Sequence, residues 1–171
     1  MRTVLLGDSH LARVRRDLGR LGPDVVNAAV GGADARDLAG QAHALSIEAS
    51  DAVVVSIGTN DAMPWKAVAL AAFTAALERF VASVRPRRLV LVTSPGVIGA
   101  RLGLPDDAAS TVVADYAAEA ATIFRRSGAT VLDAAATIAP IGDDAFAADG
   151  LHLSGAGYDL LLPAINRTLR D

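Results

Sequence analysis

The sequence contains no cysteine, which excludes disulfides, thiolate metal sites and a cysteine nucleophile. No stretch approaches the roughly 20 apolar residues that a membrane-spanning helix needs. A secretory leader takes about 15–30 residues, and the first motif already begins at Gly7, so the expected location is cytoplasmic. Lysine is nearly absent, with Lys66 the single example. The net charge of −3 comes without the basic stripe of a nucleic-acid binder. Arginines do gather at Arg13, Arg15, Arg16 and Arg20 and again at Arg85, Arg87 and Arg88; solvated helix faces or helix ends account for both groups.

What is present suits one folded unit spanning residues 1–171, since 171 residues leave little room for a second domain. A chain of this size buries roughly 70 % of its unfolded surface. Half the residues are hydrophobic and a fifth charged, a balance unlike that of disordered chains. Apolar runs at 3–6, 24–28, 52–57, 88–92 and 129–132 read as strands. Ala52–Ile57 is the strongest, and its unbroken apolar character points to burial on both faces of a parallel sheet. Between the strands, helical periodicity covers His10–Gly19, Asp34–Leu45, Lys66–Val84, Ala108–Arg126 and Gly155–Leu169. Gly58–Asp61 and Gly99–Asp107 read as loops, and Thr137–Gly150 as irregular.

This alternation predicts an α/β fold with a five-stranded parallel sheet and helices on both faces. Ligands of such sheets bind outside the carboxyl ends of the strands. Gly7–Ser9, Gly31–Gly32 and Gly58–Asp61 each follow a strand, so all three fall on that edge.

Three elements carry chemistry. Ser9, in Gly7-Asp8-Ser9-His10, sits at a strand–helix junction, where it serves either as a nucleophile or as part of an ordinary helix cap. Asp149-Gly150-Leu151-His152 offers a histidine to take a serine proton and a carboxylate to orient the ring; the same tetrapeptide also reads as a turn before the last helix. Asn60, in Gly58-Thr59-Asn60-Asp61, brings a side-chain amide suited to a developing oxyanion, and the backbone N–H of Gly32 lies where no side chain blocks a substrate. Both stretches also read as turn chemistry.

Taken in order, Gly7-Asp8-Ser9, Asn27-Ala28-Ala29-Val30-Gly31-Gly32, Gly58-Thr59-Asn60-Asp61 and Asp149-Gly150-Leu151-His152 resemble the four blocks of the SGNH (GDSL-like) hydrolase family. The resemblance spans almost the whole chain. It implies a flavodoxin-like three-layer α/β/α sandwich. It also implies a metal-independent, cofactor-free esterase or deacylase acting through an acyl-serine. Carried over, Ser9 is the nucleophile, Asp149 and His152 complete the triad, and Ser9, Gly32 and Asn60 form the oxyanion hole. Gly32 is chosen over Gly31 because the family glycine follows the block's Asn, here Asn27, by five residues. His10 stands where the name-motif has Leu, and Leu153 where Pro is common.

The α/β-hydrolase elbow Gly-x-Ser-x-Gly is absent around Ser9, as are the Walker and dinucleotide spacings. His43, in mid-helix, reads as a surface residue. Short loops predict an open, shallow cleft for a small-molecule ester with a short acyl group. His10, Met63, Trp65 and the Val97–Leu104 loop are candidates to line it. Two other readings stay open: acyl transfer to an acceptor other than water, and a catalytically silent binding module.

Overall fold

In the computed structural model, which describes residues 1–171 apart from the side chain of Asp106, the five apolar runs assemble into one sheet. Strands β1 (Thr3–Gly7), β2 (Val25–Asn27), β3 (Ala52–Ser56), β4 (Arg88–Val92) and β5 (Thr130–Leu132) lie in the order β2-β1-β3-β4-β5. Every neighbouring pair is parallel. β1 and β3 are buried along their whole length, which is why they read as continuous apolar runs and not as alternating ones. Each valine buried in β3 contributes about 1.5–3 kcal/mol.

The helices are α1 (Ser9–Ala12), α2 (Leu38–Leu45), α3 (Thr59–Ala62), α4 (Leu70–Ser83), α5 (Asp106–Arg126), α6 (Ala134–Ile138) and α7 (Gly155–Arg170). Alternation along the strands divides the core in two. Val4, Leu6, Val53, Val55 and Leu91 pack with α2, α4 and α5 on one face. Leu5, Val54, Val90 and Val92 pack with α1, α6 and α7 on the other. The result is the three-layer sandwich expected from the sequence. Chain order reverses between β1 and β3, the position where doubly wound sheets leave a crevice. Among the described residues, no helix is long and apolar enough to cross a membrane.

Several elements differ from the periodicity reading. The expected helix over His10–Gly19 lasts one turn as α1 and continues as 3₁₀ turns at Arg13–Arg16 and Leu18–Arg20. Tertiary bonds explain the change. Tyr158 Oη donates to the His10 carbonyl at 2.8 Å and Asn27 Nδ2 to the Leu11 carbonyl at 2.8 Å, competing with the amides of a following α turn. The Asp34–Leu45 helix opens with a 3₁₀ turn at Ala35–Asp37. α4 starts at Leu70, not Lys66, because Lys66 and Ala67 fold back onto the Met63 carbonyl and Ala67 has φ of 43°. Gly58–Asp61, expected as a loop, runs into the single turn of α3. Thr137–Gly150, expected to be irregular, holds the end of α6 and a 3₁₀ segment at Ala139–Ala145 interrupted by Gly142.

Main chains approach closely at Gly7, which pairs with Ser56. A Cβ on Gly7 would lie 1.8 Å from the Ser56 carbonyl oxygen, and its φ of 119° disfavours any side chain. Gly7→Ala is therefore expected to cost about 3 kcal/mol or more. Urea denaturation measures this, and a wild-type midpoint for the variant would contradict the contact.

Candidate active site

The Ser9 segment is set largely by contacts to the main chain. As β1 ends, the Asp8 amide donates to the Ser56 carbonyl at 2.9 Å. The Gln41 side chain brackets Gly7: the Gly7 amide donates to Gln41 Oε1 at 2.6 Å and Gln41 Nε2 donates to the Gly7 carbonyl at 2.9 Å. The Val30 amide reaches the same carbonyl at 2.9 Å. Asp8 then caps α1, its Oδ1 accepting from the His10 amide at 3.0 Å. Ser9 becomes the first residue of α1, half-buried, and its N–H belongs to the amides of a first turn that have no intrahelical acceptor.

The second segment follows β2. A turn closed by the Ala33 amide on the Val30 carbonyl at 3.1 Å leaves the exposed Gly32 amide without a hydrogen bond. Asn60, buried in α3, donates one N–H of its side-chain amide to the Ala33 carbonyl at 3.0 Å. Its second N–H remains available beside the Gly32 turn.

The third segment, Asp149–His152, is held against the loop after β4. The Ile98 amide donates to the Gly150 carbonyl at 2.8 Å, and Arg101 Nη1 donates to the Ala147 carbonyl at 3.2 Å. A Cβ on Gly150 would lie 2.6 Å from Arg101 Cβ and 2.7 Å from the Ile98 carbonyl oxygen. Asp149 Oδ1 accepts the amides of Leu151 at 3.0 Å and His152 at 2.9 Å, while Oδ2 meets His152 Nδ1 at 2.6 Å. Burial pushes the Asp149 carboxyl up, but these hydrogen bonds outweigh it and hold the group well below the usual carboxylate range. An ionised Asp149 accepts a hydrogen bond from Nδ1–H, and in that tautomer the lone pair of the ring lies on Nε2.

His152 lies beside the nucleophile segment: its ring centroid is 6.4 Å from that of His10, the residue after Ser9. No hydrogen bond joins Ser9 Oγ to His152 among the described residues. Such bonds are often long before a substrate tightens them. His10 itself is 1 % exposed and neither ring nitrogen has a partner. Burial, with smaller contributions from His152 and Arg13, pushes its pKa down to about 3. Met63 is buried and forms part of the wall of a 170 Å³ apolar pocket. Trp65 is 54 % exposed, and His43 is at the surface. Sequence reasoning missed parts that hold the site together, Gln41, Tyr158 and the buried carboxyls of Asp8 and Asp61, and took the Val97–Leu104 loop for lining without its hold on Ala147 and Gly150. Only Asp8 and Asp61, each adjacent to a motif residue, carried any signal.

The profile of the GDSL-like Lipase/Acylhydrolase family matches residues 6–160. A search of curated protein sequences finds no match. Among solved structures, the lipase/acylhydrolase from Enterococcus faecalis superposes with a TM-score of 0.81 at 24% identity, covering 99% of this chain and 96% of that one. The acetylxylan esterase Axe2 from Geobacillus stearothermophilus also gives 0.81, at 22% identity over 98% of this chain and 93% of that one. At these identities the superpositions report a shared fold.

Asp8 generates a pH-dependent expectation. Burial pushes its carboxyl up to about 7, against the pull of the His10 amide, and Asp61 raises it further. A carboxyl raised above its ordinary 3.8 contributes stability that is complete below that value and is lost as pH rises through about 7. Asp8→Asn keeps the acceptor for the His10 amide and removes the titration. The variant should gain about 2 kcal/mol over wild type between pH 5 and pH 8. Parallel urea midpoints for the two proteins across that range would exclude Asp8 as the titrating group.

Proposed function

The chain belongs to the GDSL-like lipase/acylhydrolase family of ester hydrolases, and we propose that it is a serine esterase that removes short acyl groups through an acyl-Ser9 intermediate. The observation that carries this reading is the Asp149–His152 pair, in which an ionised carboxylate accepts a hydrogen bond from Nδ1–H and so leaves the lone pair on Nε2. In the first step, Ser9 Oγ attacks the ester carbonyl carbon as its proton passes to His152 Nε2. The amides of Ser9 and Gly32 and the free N–H of Asn60 Nδ2 receive the oxyanion; one such donor is worth roughly 2.7–4 kcal/mol. Collapse breaks the C–O bond to the alcohol, which leaves with the proton from His152. Water then attacks the acyl-enzyme, His152 takes its proton and returns it to Ser9, and the carboxylic acid departs.

The acyl size is argued from one pocket. Met63, Pro64, Leu104, Pro105, Ala109 and Val112 enclose about 170 Å³ of apolar space. The pocket follows the Asn60 turn, and Leu151, which precedes His152, packs against the same cluster through Met63, Val97, Ala109 and Val113. At about 30 Å³ for a water-sized group, it accommodates a chain of a few carbons. Acetyl esters are the first substrates to test, and Axe2, a fold neighbour, is an acetylxylan esterase.

Ser9→Ala should lower kcat for p-nitrophenyl acetate by at least about 10³-fold with an unchanged melting curve. A fluorophosphonate should label wild type and not the variant. Turnover by the variant near the wild-type rate removes Ser9 from its role, and failure of the probe to label wild type favours a binding module. Across p-nitrophenyl esters, kcat/KM should fall beyond butyrate; a rise toward octanoate overturns the short-acyl assignment.

A further inference from the structure

Asn60 and Asp61 are consecutive residues in the single turn of α3, and both side chains reach the same short segment after Gly32. Asn60 Nδ2 donates to the Ala33 carbonyl at 3.0 Å, and Asp61 Oδ1 accepts from the Ala35 amide at 2.9 Å. Between these anchors, Lys66 Nζ, just past α3, donates to Asp34 Oδ2 at 3.2 Å. The segment is closed on itself by the Ala33 amide on the Val30 carbonyl and by the reciprocal cap of Asp34 and Asp37. It therefore docks onto the Asn60 turn as a preformed unit.

We infer that Asp61 is a positioning residue of the oxyanion hole: its carboxylate grips the Ala35 amide and so fixes the Gly32 amide in register with the Asn60 side chain. This rests on the acyl-Ser9 reading of the site. Asp61 is fully buried and has no face toward a substrate, so it acts through the Gly32 segment. The Ala35 amide opens a 3₁₀ turn and has no acceptor within it; without Asp61 it becomes an orphaned buried donor. Asp61 Oδ2 has no hydrogen-bond partner, a burden that an apolar side chain of similar size would not bring. A role confined to filling the core is better served by such a side chain. The bond from Asp61 Oδ1 to Ala35 is what a carboxylate offers in exchange, and it ends three residues from an oxyanion donor. Asn60 holds the segment at the Ala33 carbonyl, flanked by the Val30 amide on Gly7 and by the solvent-reaching Lys66 on Asp34. Asp61 adds the buried hold at the Ala35 amide.

The test is steady-state kinetics on p-nitrophenyl acetate with four variants of the full chain. Asp61→Ala should lower kcat about 10–100-fold, less than outright loss of an oxyanion donor, with KM within about threefold. Asp61→Asn, which keeps an acceptor for the Ala35 amide, should retain kcat within about threefold. Ala35→Pro removes the donor and sets its ring against Asp61 in the donor's place; proline suits the first position of a helical turn, and the extended backbone of Asp34 (φ −121°, ψ 176°) suits a residue before proline. It should reproduce the Asp61→Ala loss, and the double variant should be no worse than either single one. If Asp61→Ala does not fold, Asp61→Asn and Ala35→Pro carry the same comparison. Wild-type kcat in Asp61→Ala or in Ala35→Pro overturns the inference. So does an Asp61→Asn loss as large as that of Asp61→Ala, or a double variant whose losses multiply. Should wild type neither turn over the ester nor accept the fluorophosphonate at Ser9, the underlying reading fails first; an active, Ser9-dependent wild type with an unaffected Asp61→Ala sinks this inference alone.

Discussion

The catalytic edge depends on how closely β1 approaches β3 where the two strands end. Opposite Ser56, only a hydrogen on Gly7 Cα fits. That contact lets the Asp8 amide extend the ladder one step beyond the strand, so the chain leaves β1 already in register with the chain leaving β3. Ser9 and Asn60 thus arise at neighbouring exits from two fully buried strands, not at the tips of mobile loops. The Gln41 amide adds a second restraint by saturating both polar groups of Gly7. Its own burial keeps water from competing for them. A reacting group placed by backbone contacts of this kind needs little reorganisation when charge develops.

Around that edge, one side-chain type is used in two opposite ways. Asp149 is half-exposed and accepts three hydrogen bonds, so it stays ionised where an imidazole needs orienting. Asp8 and Asp61 are fully buried, and each has one oxygen bonded to a backbone amide and one without a partner. Burial pushes them up to about 7 and about 6, and each stands closer to neutrality than a surface aspartate. Environment, and not residue identity, separates the carboxyl that stays ionised against an imidazole from those that hold the scaffold.

The strands were legible because burial on both faces leaves an unbroken apolar run, and the motifs because each follows a strand at one end of the sheet. Helix limits were legible only where no distant residue intervened: α5 and α7 follow their periodicity, whereas α1 stops after one turn because Tyr158 and Asn27 reach its carbonyls from far along the chain. Gln41 lay hidden in a helix whose pattern treats it as one polar position among several; its partner is 34 residues away. Asp61 stood in plain view beside Asn60, yet its bond to Ala35 spans 26 residues, and no local spacing announces it. His10, expected along an open cleft, is buried with neither ring nitrogen paired, whereas Met63 is buried and still lines the apolar pocket; the sequence distinguishes an imidazole from a leucine but not the depth at which helix packing sets it.

The order in which the polypeptide is made adds a final consequence. Ser9, Gly32 and Asn60 lie in the first half of the chain, and the sheet that aligns them is nearly complete when β4 pairs. Asp149 and His152 come much later, in a loop that must dock on Ile98 and Arg101, and Tyr158 of α7 then ties the nucleophile turn from behind. A nascent chain emerging from the ribosome therefore carries Ser9, Gly32 and Asn60 well before Asp149 and His152 can reach them. The four stretches thus meet only after the C-terminal helix has closed over the sheet.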